Sequence, residues 1–207
     1  MQLNRETEPL VKALIENLVD CRSVLDLGCG QSSMLQYVPW VENSLGVEVW
    51  EPYINESKQH HIHTNYIQSN LIDFKPTCNY DAVMCIDVIE HIKKEESEKL
   101  IKNMLAWSDK KVIIYVPNGF MPQTDPYHDK NKYQEHISGW DVQDFTKLGF
   151  KVFGYSGWKP LRGDGADIII KSPGHLRDIV NILSLKTESI CRIYPKYAFA
   201  LLAIYTK

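Results

Sequence analysis

A carboxylate and two closely spaced glycines stand near the start of the chain. Asp26 lies within the mainly apolar run 24–27, and Gly28 and Gly30 follow directly after this run. Glycines at this spacing let the backbone turn tightly after a strand and let a ligand approach without a Cβ in the way. Glu48 follows Gly28 by 20 residues, about where an acidic side chain reaches the ribose hydroxyls of a bound nucleoside. The spacing predicts a nucleoside-binding loop.

The charge of Asp26 distinguishes between two kinds of nucleoside. A nicotinamide dinucleotide lays a pyrophosphate over such a loop and favours a third glycine, where this chain has Ser33. S-adenosylmethionine instead carries an ammonium and a sulfonium, which a nearby carboxylate attracts. We therefore predict S-adenosylmethionine as the cofactor, and a nicotinamide-dependent oxidoreductase is the alternative.

A second group of titratable residues could move a proton. Glu90 and His91 follow the apolar run 82–86, and His128 and His136 lie in a later loop. An alcohol or phenol that accepts a methyl group needs a general base near neutral pH, which these side chains could provide. We predict all four as catalytic; in the alternative, Glu90 caps the next helix and His91 is a packing residue.

The elements that would position these residues alternate along the chain. Amphipathic helices are predicted at 8–20 and 94–107. Short apolar runs typical of buried strands occur at 24–27, 45–49, 66–68, 82–86 and 112–116. The alternation predicts an α/β fold with a Rossmann-like, mostly parallel seven-stranded sheet, helices on both faces and an antiparallel last strand.

The C-terminal half completes this sheet. A capping box of Ser138 and Asp141 predicts a helix that Gly149 ends. Strands are predicted at 150–155 and 198–205, and a helix is predicted at 175–183. The stretch around 175–194 is expected to cover the sheet rather than to lie on a membrane. We expect one domain over 1–207, with a cofactor-binding core at about 20–117, a lid or substrate loop at 118–137, and an insertion and C-terminal cover at about 156–197.

Composition limits the partners and the compartment. The chain is 44% hydrophobic and 24% charged, and its net charge is −3. A nucleic-acid partner is therefore disfavoured, because many phosphates call for a basic surface. The five cysteines show no disulfide spacing, and no apolar stretch approaches the ~20 residues of a membrane span. These features predict a cytoplasmic protein, and they leave the oligomeric state open.

Five motifs occur in order: VLDLGCGQSS, LGVEVWEPY, YIQSNLIDF, YDAVMCIDVIEHI and VIIYVPNG. Together they resemble the class I S-adenosylmethionine-dependent methyltransferases, in particular a branch of small-molecule O-methyltransferases, over about 22–155. The resemblance implies that cofactor contacts come from the residues of the first four motifs. These residues are Asp26, Gly28, Cys29, Gly30, Glu48, Val49, Asn70, Leu71 and Asp87.

The resemblance also implies the reaction. We expect methyl transfer by in-line displacement to an oxygen of a small molecule, a sugar or a lipid-linked compound. A non-catalytic binding partner of another subunit is the alternative from a different class. Our first interpretation is a base without a metal. A second places Glu90, His91, His128 and His136 around a divalent metal, similar to the small-RNA terminal methyltransferases, and the histidines at 60–63 are expected in a solvated loop.

Overall fold

The computed structural model describes residues 9–122, 131–163, 168–169 and 174–207. The described chain contains five helices and seven strands. The helices are α1 (Pro9–Asn17), α2 (Glu51–Gln59), α3 (Lys94–Trp107), α4 (Val142–Thr146) and α5 (Gly174–Ile193). The strands are β1 (Ser23–Leu27), β2 (Asn43–Glu48), β3 (Asn65–Gln68), β4 (Tyr80–Ile86), β5 (Ser108–Pro117), β6 (Lys151–Trp158) and β7 (Ala198–Thr206).

All seven strands belong to one sheet, in the order β3-β2-β1-β4-β5-β7-β6. Strands β1 and β4 are buried almost along their whole length, as their β-branched and apolar residues predict. The predicted α/β class is confirmed, including the antiparallel last strand, since β7 pairs antiparallel with β6. Within the described residues, no helix has both the length and the hydropathy needed to span a bilayer.

The chain divides into two compact units. The first comprises the described residues of Met1–Val88, Glu95–Ile113 and Thr206–Lys207. In this unit β1 pairs in parallel with both β2 and β4, with Asp26 opposite Gly46 and Met84. The carboxyl ends of these strands consequently lie at one edge, where parallel sheets bind ligands. Loop residues that follow the strands are brought together there.

The second unit comprises Ile89–Lys94 and the described residues of Ile114–Tyr205. Here β6 and β7 pair from Lys151 opposite Ile204 to Trp158 opposite Ala198, with an irregularity between Tyr155 and Trp158. Helix α5 packs on β6, and α4 packs on the same strand. The unit therefore joins the short segment that carries Glu90 and His91 to the C-terminal half of the chain.

The predicted start of α4 is wrong by one turn. Asp141, not Ser138, caps this helix: its carboxylate accepts from the N–H groups of Gln143 and Asp144, and Asp144 accepts from the N–H of Asp141. The buried Ser138 hydroxyl instead donates to the carbonyl of Ile89, at 3.0 Å. The end is correct, because Gly149 follows the helix at φ 86°.

One further prediction is wrong, and another is correct only in part. His63 is buried rather than solvated in a loop, whereas His60 and His61 are exposed. Helix α5 covers strand β6 of the sheet, but not with its isoleucines and leucines: Ile182 is 53% exposed and Ile193 is 73% exposed. In each case the hydrophobicity of the segment did not indicate which side chains turn inward.

Candidate functional site

The glycine loop after β1 has the backbone that the sequence predicts. Gly28 has φ 72°, and a Cβ at this position would lie 2.4 Å from a methyl carbon of Val88. Gly30 has φ 58°, and a Cβ there would meet nothing within 4 Å. The first glycine therefore allows close packing, and the second borders open space in which a ligand can approach the backbone.

Glu48 ends β2 beside this loop. One carboxylate oxygen accepts from the N–H of Gly30 at 3.1 Å, and the other accepts from the N–H groups of Val49 and Trp50 at 2.8 and 2.9 Å. The residue is only 8% exposed. Burial raises its pKa, while the three backbone N–H groups act in the opposite direction. Glu48 is thus a rigidly held acceptor at the edge of the sheet.

Asp26 lies deeper than we expected. It is 2% exposed, and its carboxylate accepts from the Ser33 hydroxyl at 2.5 Å. The same oxygen is 3.3 Å from the Nε2 atom of the buried His63. The argument that Asp26 attracts a cationic cofactor assumed an accessible carboxylate, so its contact with the ammonium stays a prediction. No sequence motif indicated the contact with His63, which lies 37 positions away.

Cys29 is a packing residue in this loop. Its N–H donates to the carbonyl of Val47 at 3.1 Å, and the residue is buried. Burial raises the pKa of the thiol, and the negative charges of Asp26 and Glu48 raise it further. A thiol in such surroundings stays protonated and unreactive, so its predicted contact with the cofactor would come from its backbone.

The remaining predicted cofactor residues also belong to the first unit. Asn70 is exposed, and its side-chain oxygen accepts from the N–H of Ile72 at 3.1 Å. Leu71 is buried. Asp87 follows β4 with φ 53°, a left-handed conformation that costs a non-glycine residue free energy and often marks functional sites. The contacts of all three residues with a cofactor remain predictions.

Three of the four predicted catalytic residues meet in the second unit. Glu90, His91 and His136 each offer a ligand atom, and these atoms all lie within 4.8 Å of one another. The Nε2 atom of His136 is 4.0 Å from a carboxylate oxygen of Glu90, and the two imidazole centroids are 4.8 Å apart. Glu90 is 2% exposed. We call Glu90, His91 and His136 the acid–histidine cluster; the fourth residue, His128, lies outside the described residues.

Backbone carbonyls orient both imidazoles of the acid–histidine cluster. The Nδ1 atom of His91 is 3.1 Å from the carbonyl oxygen of Glu135, and that of His136 is 2.7 Å from the carbonyl oxygen of Met121. A carbonyl only accepts, so Nδ1 carries a proton, and in the neutral imidazole the lone pair then lies on Nε2. This tautomer is the one in which histidines bind metals through Nε2.

Local hydrogen bonds hold the cluster together. The carbonyl of Glu90 accepts from the N–H groups of Ile137 and Ser138, at 2.8 and 3.0 Å. Lys94 donates to the carbonyl of Gly139 and to Asp144, so the segment after Glu90 is also tied to α4. These bonds join stretches more than 40 positions apart, which no short motif reveals.

The cluster can do two kinds of chemistry. One carboxylate with two imidazoles is a donor set of oxygen and nitrogen that suits a divalent transition metal such as Mn²⁺. Its residues fit such an ion, because both histidines are already held in the metal-binding tautomer. Without an ion, a histidine paired with a carboxylate can act as a general base.

Comparison with known proteins agrees with the first unit's geometry. Residues 24–110 match the family described as methyltransferase domain. A small RNA 2'-O-methyltransferase of Gallus gallus is 25% identical over an alignment of 165 residues, and the match covers 67% of this chain and 44% of the relative. The chain therefore spans less than half the length of this curated relative.

Solved structures share the fold at low identity. The methyltransferase domain of bacterial CtHen1-C has a TM-score of 0.58 at 18% identity, covering 95% of this chain and 96% of that one. An S-adenosylmethionine-dependent methyltransferase of Archaeoglobus fulgidus has a TM-score of 0.56 at 20% identity, covering 96% and 93%. Magnesium protoporphyrin IX methyltransferase of Synechocystis PCC 6803, with bound S-adenosylhomocysteine, has a TM-score of 0.55 at 15% identity, covering 96% and 82%.

Proposed function

We propose that this chain, a class I S-adenosylmethionine-dependent methyltransferase, methylates a hydroxyl oxygen of a vicinal diol such as a terminal ribose. One observation carries the proposal: in the acid–histidine cluster a buried carboxylate and two imidazoles converge within 4.8 Å. Oxygen is a poor nucleophile until its proton is removed, and this cluster is suited to that task. The 2'-O specificity of the Gallus gallus relative supports the same acceptor.

The first unit would hold the cofactor. Glu48 would accept from the ribose hydroxyls, and the open space at Gly30 would admit the methionine portion. When bound, S-adenosylmethionine supplies the methyl group: a bond forms between the acceptor oxygen and the methyl carbon as the sulfur–carbon bond breaks, S-adenosylhomocysteine leaves, and the hydroxyl proton passes to a base.

Glu90, His91 and His136 would hold a divalent metal through one carboxylate oxygen and two Nε2 atoms. Such an ion would supply a Lewis acid that lowers the pKa of a coordinated hydroxyl. The carbonyls of Glu135 and Met121 would keep the two imidazoles in register. His128 remains a proposed fourth member of this group.

A second candidate is a metal-free reaction on a small-molecule, glycan or lipid-linked hydroxyl. The net charge of −3 favours it, because an RNA partner generally meets a basic surface. We propose a cytoplasmic location for both candidates, since the spacing of the five cysteines is not typical of disulfides.

The decisive experiment combines acceptors, metals and variants. Methyl transfer from labelled S-adenosylmethionine is measured with a short RNA, free ribonucleosides and methyl glycosides, in Mn²⁺, in Mg²⁺ and in chelator. Periodate identifies the product, because a methylated diol resists cleavage. His136→Ala and Glu90→Gln should lower turnover about 10- to 100-fold or more and leave S-adenosylhomocysteine affinity unchanged.

His60→Ala is the matched control, because His60 is exposed and belongs to the first unit. It should retain full turnover. If His136→Ala and Glu90→Gln, assayed in chelator, kept the activity of the wild type with metal, this would contradict the metal-assisted reaction. Activity on glycosides but not on RNA would favour the second candidate.

A further inference from the structure

His63 is a buried histidine of the first unit that the proposed reaction does not use. It lies between α2 and β3, and its side chain is fully buried. Neither of its ring nitrogens makes a hydrogen bond of regular geometry within the part of the chain that the structure describes. Polar nitrogens at a buried position cost free energy unless another contact compensates, so the neighbours of this ring indicate its role.

The imidazole of His63 faces the carboxylate of Asp26. Its Nε2 atom lies 3.3 Å from one carboxylate oxygen, just beyond the ordinary length of an N–H···O bond. A carboxylate only accepts, so Nε2 carries a proton in this contact. The same oxygen accepts from the Ser33 hydroxyl at 2.5 Å. Two donors therefore meet on one oxygen of a buried side chain and restrict its rotation.

Strand β2 leaves a space for this ring. Gly46 lies opposite Asp26 in the register of β1 and β2. A Cβ at Gly46 would lie 2.6 Å from the Cδ2 atom of His63 and 3.1 Å from its Nε2 atom. A larger residue at this position would push the ring out of its place, so the missing Cβ admits the contact between His63 and Asp26.

Tyr66 holds His63 in this position. The Tyr66 hydroxyl accepts from the N–H of His63 at 3.0 Å and donates to the carbonyl of Ser57 at 2.9 Å. The two rings meet edge to face, with their centroids 5.2 Å apart. The backbone and the ring of His63 are thus both anchored by a residue other than Asp26, which leaves the imidazole in place to orient the carboxylate.

The charge of Asp26 acts on the glycine loop although the carboxylate is buried. Burial is the main cause of the raised pKa of Glu48, and the negative charge of Asp26 raises this pKa further. Glu48 in turn accepts from the N–H of Gly30. Charges interact strongly over such distances where little water screens them, so the orientation of the Asp26 carboxylate matters to a cation bound at this loop.

We propose that His63 is a positioning residue for the cofactor: it holds the Asp26 carboxylate in the orientation that attracts the ammonium of S-adenosylmethionine. The inference rests on the proposed contact between Asp26 and this ammonium and is independent of the acceptor. A histidine that only packs would change the stability of the first unit, whereas a positioning histidine changes the recognition of one part of the ligand.

Two ligands separate these roles. S-adenosylhomocysteine carries the ammonium, whereas methylthioadenosine has the same nucleoside and a thioether but no amino acid. Calorimetry on the full chain should show that His63→Asn lowers the affinity for S-adenosylhomocysteine about tenfold and leaves that for methylthioadenosine unchanged. His63→Gln should retain most of the affinity, because its amide nitrogen can take the place of Nε2, whereas that of Asn reaches only the place of Nδ1.

His60→Asn is the matched control, because His60 is exposed at the end of α2. It should bind both ligands like the wild type. His63→Leu fills the buried site with an apolar side chain and offers no donor, so it should behave like His63→Asn and replaces that variant if the latter does not fold. Equal losses for the two ligands in His63→Asn and in His63→Leu, without rescue in His63→Gln, overturn the inference.

A double-variant cycle tests whether His63 acts through Asp26. Asp26→Asn should lose the preference for S-adenosylhomocysteine, and adding His63→Asn should then lower the affinity little further. A loss as large in this background as in the wild type overturns the inference. If Asp26→Asn keeps the preference, the proposed contact of Asp26 with the ammonium is wrong, and the inference fails with it. If Asp26→Asn loses the preference but His63→Asn keeps it, only the role of His63 is wrong.

Discussion

Gly28 packs so closely against Val88 that the glycine loop leaves no room for a Cβ at this position. We predict that Gly28→Ala lowers the free energy of unfolding by about 2 kcal/mol or more, because alanine meets both a left-handed φ and the Val88 methyls. Thermal and urea unfolding measure the loss.

Gly30→Ala is the natural comparison, because its Cβ meets only open space. It should cost about 1–2 kcal/mol from its left-handed φ alone. An equal loss in the two variants would contradict the packing role assigned to Gly28.

Glu48 predicts a pH dependence for cofactor binding. Burial raises its pKa above the ordinary value of about 4.5, and the ionised carboxylate is the form that would accept from both ribose hydroxyls of the proposed cofactor. Affinity for S-adenosylhomocysteine should be complete well above the raised pKa and should fall as the pH falls through it. Calorimetry over a pH series measures this.

Glu48→Gln provides the reference for that series. The amide does not titrate, so its affinity should be weaker and flat with pH. A profile of the same shape in the wild type and in Glu48→Gln would assign the pH dependence to another group.

The sequence predicted which residues belong to the glycine loop and the end of β2 better than it predicted their contacts. The left-handed glycines and the acidic residue at the end of β2 were predicted, because backbone conformation and strand length determine them locally. The burial of Asp26 against Ser33 and His63 was not, because it depends on how a loop after α2 folds back on β1. The grouping of Glu90 with His136 was proposed only as an alternative, because their contact joins distant segments.

Helix α4 shows how one element is defined by its first turn. Asp141 and Asp144 form a reciprocal capping box that satisfies N–H groups at the start of a helix only five residues long. We predict that Asp141→Ala lowers the free energy of unfolding by about 1 kcal/mol, up to about 2 kcal/mol. Urea unfolding measures the change.

Gln143→Ala is the control, because Gln143 is exposed in the same turn and alanine favours helix. It should leave stability within about 0.5 kcal/mol of the wild type. A loss as large as that of Asp141→Ala would mean that the turn, rather than the cap, is the sensitive feature.

Helices and strands could be predicted where the hydrophobic pattern of a short segment determines them. Helix α3 has the predicted bounds, Lys94–Trp107, since its apolar stripe and its charged face are unambiguous. Helix α5 was predicted shorter and facing the other way. Its hydrophobicity indicated inward packing, but Gly154 and Gly157 bring the helix so close to β6 that small and polar residues face the strand.

The whole molecule combines a predictable unit with a less predictable one. The first unit carries the motifs, and the family match at 24–110 falls largely within it. The second unit was predicted in part, since β6 and β7 were expected. The acid–histidine cluster in this unit, however, is held by hydrogen bonds between side chains and the backbone of distant segments. Fold and cofactor class could thus be predicted from sequence, whereas the acid–histidine cluster depends on long-range contacts that sequence spacing does not encode.

The reversed helix has a practical consequence for handling this protein. Salts such as sulfate are excluded from protein surfaces and strengthen the association of apolar areas. Because isoleucines of α5 are exposed to water, the protein should precipitate at a low sulfate concentration and redissolve on dilution. Its solubility curve, rather than its melting curve, would be the bulk property most sensitive to which way α5 faces.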